Sequence, residues 1–108
     1  MRNYLVKELV SEIYEGRLDI LDNQIAILVD KIELYTTVAD VKYENSLRDM
    51  ELINSIKAYN DEIKVMIDKI NEVEVALIKN KNERLMLSCE GRKSSLINLM
   101  MYLQNKYL

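Results

Sequence analysis

Carboxylates are the commonest groups in this chain able to do chemistry, and they come in close pairs: Asp19 with Asp22, Asp61 with Glu62, Glu72 with Glu74. General acid–base work needs two such groups in unlike environments, usually in a cleft, so that one keeps its proton while the other loses it. Here each pair lies between apolar positions that recur at helical spacing, on the face expected to meet water. A solubilising surface is the plainer reading. A cluster of four carboxylates would suit a hard cation, yet no stretch has the spacing of a calcium loop. Cys89 is the one thiol, with Arg92 and Lys93 three and four residues on. Such cations would lower its pKa and make it nucleophilic. The same residue also continues an apolar seam, which makes it a buried structural cysteine instead.

What is missing narrows the chemistry further. There is no histidine, which removes imidazole bases, imidazole metal ligands and a charge switch near neutrality. One cysteine makes neither an internal disulfide nor a thiolate metal cage. Two glycines do not build a phosphate-cradling loop. The expectation is a protein with no catalytic, cofactor-binding or metal-binding residues, not an enzyme. The net charge of −3, from 15 basic and 18 acidic side chains, argues against a nucleic-acid clamp and weakly against an anionic membrane surface. Of the seven tyrosines, Tyr14, Tyr35 and Tyr59 fall on apolar seams. Tyr4, Tyr102 and Tyr107 lie at the chain ends and would suit an aromatic contact with a protein partner. Stacking on bases would need interleaved cations, and only Lys106 stands beside Tyr107.

These residues must be positioned by helices. The chain has no proline, and its apolar residues follow a heptad. From Tyr14 they run through Leu18, Leu21, Ile25, Leu28, Ile32 and Tyr35 to Ala39 in alternating steps of four and three. A second seam runs from Leu52 through Ile56, Tyr59, Ile63, Met66, Ile70 and Val73 to Leu77 in the same way. The two seams are mirror images about Asn45–Ser46. A turn there sets each position opposite its partner in an antiparallel hairpin with arms about 39 Å long at ~1.5 Å per residue. One long helix zipping with another chain is the alternative. Gly16 either weakens a continuing first helix or ends a short one, with Asp19 capping the next.

Downstream, Asn80–Arg84 interrupts the second seam with polar residues, and the seam resumes as Leu85, Cys89, Arg92 and Leu96. Gly91 marks an expected break, with Ser94 or Ser95 capping a last helix. That helix, Leu96 to Leu108, carries more apolar surface than one seam uses. It packs back as a third member of a bundle or binds another protein through Leu96, Leu99, Met100, Met101, Leu103 and Tyr107. The fold expectation is therefore all-α: an antiparallel two-helix coiled-coil hairpin with terminal helical segments, in a single domain over 1–108. Arm one covers about 4–42, the turn 43–48, arm two 49–90 and the apolar helix 94–107. No run approaches the ~20 apolar residues that span a bilayer. The stretch Met1–Glu15 interleaves Lys7, Glu8 and Glu12, unlike a secretory signal. No membrane insertion and a cytoplasmic location are expected.

Tyr59 followed by Ile63, Ile67 and Ile70, then Asn82-Glu83-Arg84-Leu85, then Arg92-Lys93, resembles the central-stalk proteins of type III secretion and flagellar export ATPases. The resemblance covers residues 50–100 and consists of heptads and charge. It implies a long antiparallel hairpin standing in a hexameric ring, presenting charged faces that stimulate the ATPase. The chain departs from that family in its five arginines, its acidic balance and its apolar end. These features are also similar to small helical export chaperones, which shield an amphipathic helix of a secreted subunit. Either likeness implies protein partners, as a homo- or hetero-oligomer, and no nucleic acid.

Overall fold

The computed structural model describes residues 2–44 and 49–108, with the backbone alone described for 2–5 and 7. Among the described residues the fold is all-α: α1 (Arg2–Lys42), α2 (Met50–Lys79) and α3 (Glu83–Tyr107). The turn expected at Asn45–Ser46 lies outside the described residues. On its far side Asp49 caps α2 from an extended conformation, its carboxylate accepting from the Glu51 amide at 2.9 Å.

α1 is continuous through Gly16. A methyl group added at Gly16 or Gly91 would meet no atom within 4 Å, so both glycines sit in helices with open space beside them. Each costs its helix about 1 kcal/mol relative to alanine. That is less than a single buried Leu or Ile returns, at about 1.5–3 kcal/mol. This comparison explains the main departure from expectation. The second arm does not reach residue 90, and no helix starts at 94. The chain instead reverses at Asn80–Asn82, and one helix runs through Gly91 from Glu83 to Tyr107. Lys81 takes a left-handed conformation with φ 52°. Asn82 then caps α3, its side-chain oxygen accepting from the Leu85 amide at 3.2 Å. The polar run read as an interrupted seam is a helix–helix turn.

Contacts fix the directions. Gln24 meets Lys69, Lys31 meets Glu62 and Tyr35 meets Tyr59 (ring centres 5.4 Å apart), so α1 and α2 run antiparallel. Lys93 of α3 reaches back to Asn71 and Glu74, so α2 and α3 are antiparallel too. α3 is parallel to α1, with Arg84 against Glu15, Arg92 against Asp22 and Lys106 against Asp40. The result is a three-helix rod of 65 × 18 × 16 Å. Its core takes Leu18, Leu28 and Ile32 from α1, Ile56, Ile63, Ile70 and Leu77 from α2, and Leu85, Cys89, Leu96 and Leu103 from α3. Both seams read from the sequence line it. Asn60 is the buried polar exception, and its carbonyl oxygen has no protein partner.

α1 outruns the other two helices. The Ser11 hydroxyl accepts from the Asn82 side chain at 2.8 Å, which places Ser11 level with the α2–α3 turn. Val10 still lines a groove with Asn80–Glu83, and the helical residues before it extend past that end of the bundle.

Candidate functional site

The C-terminal residues expected to meet a partner are divided by the fold. Leu96, Leu103 and Tyr107 are buried in the rod's own core. Leu99 and Met100 are half-buried against it, and Met101 alone of the six is exposed. α3 packs on α2 and α1 together, so the surplus apolar surface closes a third layer. Tyr107 is held in place: its hydroxyl donates to Asp40 Oδ1 at 2.5 Å, and Lys106 Nζ donates to Asp40 Oδ2 at 2.9 Å. Those two hydrogen bonds hold the Asp40 carboxyl below its usual range. Burial and the Asp40 carboxylate push the Tyr107 phenol up to about 12.

The carboxylate pairs do not converge on a cleft. Asp22 leaves its neighbour Asp19 and takes a two-pronged hydrogen bond from Arg92, Nε to Oδ1 at 2.7 Å and Nη2 to Oδ2 at 2.9 Å. That bond lowers the Asp22 pKa and raises that of Arg92. Glu74 parts from Glu72 to pair with Lys93 at 3.0 Å, both side chains mostly buried. Its second oxygen has no protein partner. Asp61 and Glu62 stay on the surface, Glu62 facing Lys31. Cys89 is fully buried, and burial, with Glu74 nearby, pushes its thiol pKa up. An activated cysteine requires the opposite shift. Among the described residues no group of three or more Cys, Asp or Glu residues is placed to hold a metal, and no helix is long and apolar enough to cross a membrane.

The unexpected feature is the outer face of α1. Val6, Ile13, Ile20, Ile27, Leu34 and Val41 follow one another at intervals of seven residues, and none of them faces the core. Leu9 and Val38 join them near the two ends. All eight side chains are between 57 % and 76 % exposed. They form a stripe about 52 Å long at ~1.5 Å per residue. Beside it, Ile27, Leu28 and Lys31 face Glu62, Val65 and Met66 of α2 across a shallow groove of about 250 Å³. Neither seam read from the sequence contained this stripe. Its signal was nonetheless present, as an unbroken seven-residue repeat running one position out of step with the seam from Tyr14 to Ala39. A core helix needs one seam, and a second at the same period calls for a second neighbour.

The chain matches no protein-family model, no curated protein and no solved structure.

Proposed function

We propose that the protein is a non-enzymatic helical interaction protein, a rod that works by holding another helix along the outer face of α1. The stripe from Val6 to Val41 carries this reading. Eight large apolar side chains exposed along one face of a helix are uncommon on a free-standing domain and mark an association surface. Its period matches an α-helix, which favours the helix-on-face mode of recognition. Of the two roles implied by resemblance, assembly partner or export chaperone fits this surface better than ATPase stalk. A stalk acting through charged faces gains nothing from an apolar stripe. The surface for a secreted subunit's helix would be α1, because the C-terminal helix spends Leu96, Leu103 and Tyr107 on the core.

The test compares tagged wild type with Ile20→Lys/Ile27→Lys in the native source, with mass spectrometry of what is retained, including untagged copies of the chain itself. Wild type should retain a helical protein that the variant loses. Equal retention of everything by both would overturn the reading. A secretion ATPase held equally by both would support the stalk role instead.

A further inference from the structure

The proposed function leaves open what lies on the stripe. We infer that it is a second copy of this chain, with the two α1 helices side by side and pointing the same way; this rests on the reading of α1 as an association surface. Symmetry, charge and area all favour this pairing.

In a parallel pair related by a two-fold axis along the rod, each stripe residue meets its own copy. Ile20 packs on Ile20 and Ile27 on Ile27, which gives a row of matched apolar contacts about 10 Å apart at ~1.5 Å per residue. The residues flanking a seven-residue stripe lie three and four positions beyond each of its members, one on either side. In a parallel pair, each flank of one helix faces the opposite flank of the other. Residues at adjacent numbers are then set together: Leu9 against Val10, Gly16 against Arg17, Asn23 against Gln24, Asp30 against Lys31. Apolar meets apolar, small meets large, amide meets amide and anion meets cation, each twice by symmetry. An antiparallel pair brings like flanks together, which puts Arg17 beside Lys31 and leaves Asp30 beside Gly16. Among the described residues neither Arg17 nor Asp30 forms an ion pair within the chain. Lys31 reaches only the exposed Glu62, at 3.8 Å.

The area suffices. A strip about 52 Å long on a helix about 10 Å across covers roughly 500 Å². Two copies then bury about 1,000 Å² over the stripe and its flanks together, the size at which specific interfaces begin. The helical residues before Val10 also gain a neighbour, through Val6 and Leu9, which are exposed within the chain.

Sedimentation equilibrium of the full chain should give twice the chain mass at micromolar concentration. Ile20→Lys/Ile27→Lys should weaken association by about 100-fold or more while leaving the helical circular dichroism intact, because both side chains are exposed in the monomer. Asp30→Lys, on an exposed flank, should weaken it about tenfold, and Asp30→Lys/Lys31→Asp should restore it. For orientation, Ile27→Cys in a Cys89→Ala background should form a disulfide dimer by itself on mild oxidation. A disulfide that appears only when Ile20→Cys and Ile27→Cys chains are mixed would overturn the parallel arrangement. A monomer at 100 µM, or a dimer indifferent to the stripe substitutions, would overturn the inference (~100 µM being well above the Kd of a specific pair). Were the monomer still to lose a different protein when the stripe is substituted, the reading of α1 as an association surface would stand and only its occupant would change.

Discussion

α1 and α2 have the same seam period and pack closely on each other, yet they distribute their apolar residues differently. α2 concentrates them on the side that faces α1 and α3, and its other side is mostly charged. α1 lines the core with Leu18, Leu28 and Ile32, then places Ile20, Ile27 and Leu34 out of that core at the same period. One helix is finished by the fold and the other is not. Burial therefore separates residues that composition alone treats as equal. An isoleucine in α2 at Ile63 holds the monomer together, and one in α1 at Ile27 stays exposed.

The sharpest way to break this contrast is to truncate one residue on each side. Ile63→Ala removes a side chain with 0 % exposure and should cost the isolated chain about 2–5 kcal/mol in urea or thermal unfolding. Ile27→Ala, measured where the chain is monomeric, should cost less than about 0.5 kcal/mol. A comparable loss at both positions would mean that the outer face is already used within the monomer.

Charge makes the next test, because the α2–α3 side and the α1–α3 side hold their ion pairs differently. Lys93 and Glu74 are 15 % and 17 % exposed, and Glu74 has no second partner for its other oxygen. Lys93→Ala strands that carboxylate and should cost about 2 kcal/mol. Arg84 is 71 % exposed against Glu15, and Arg84→Ala should change stability by no more than about 0.5 kcal/mol. Glycine gives a third, with the opposite sign. Gly16→Ala and Gly91→Ala face open space and should each raise stability by about 1 kcal/mol, read as a higher melting temperature. A loss at Gly91 would show that the helix there is less regular than the rest of α3.

The smallest effect is the pH dependence of the α1–α3 side. Asp22 and Asp40 have pKa values held below the usual carboxylate range by Arg92 and by Tyr107 with Lys106. Their contribution is complete above the unfolded value of about 4 and fades as pH falls through the lower folded values. Tyr107 works in the other direction. Its pKa is raised from the ordinary 10 to about 12, so its contribution is complete below about pH 10 and is lost as pH climbs toward 12. Melting curves against pH should show both limbs. Tyr107→Phe should flatten the alkaline one.

The hairpin seams were legible in the sequence because their period is imposed directly by packing. Positions such as Leu28, Ile56 and Ile70 had to be apolar to be buried at all. The start of the third helix is obscured because the local preference of Gly91 points against the seam around it. Gly91 has a weak helix propensity, but Leu85, Cys89, Leu96 and Leu103 on one face outweigh it. The true reversal carried its own signal in Asn82, a capping residue directly before the acidic Glu83, and nearby polarity disguised it as a surface patch. The α1 stripe was hidden differently. Two heptads overlap on one helix there, and only burial separates the one that the fold consumes from the one that it leaves.

The projection of α1 past the α2–α3 turn has a consequence for exchange kinetics. Among the described side chains before Val10, those of Val6, Glu8 and Leu9 are exposed, so in the monomer the amides of this stretch open by end fraying, independently of global unfolding. Deuterium uptake there should be fast and insensitive to changes such as Ile63→Ala that weaken the core. Any neighbour that settles on Val6 and Leu9 must slow it. This first stretch of α1 is thus an internal gauge of occupancy, and its protection, set by local fraying in the monomer, would rise with concentration.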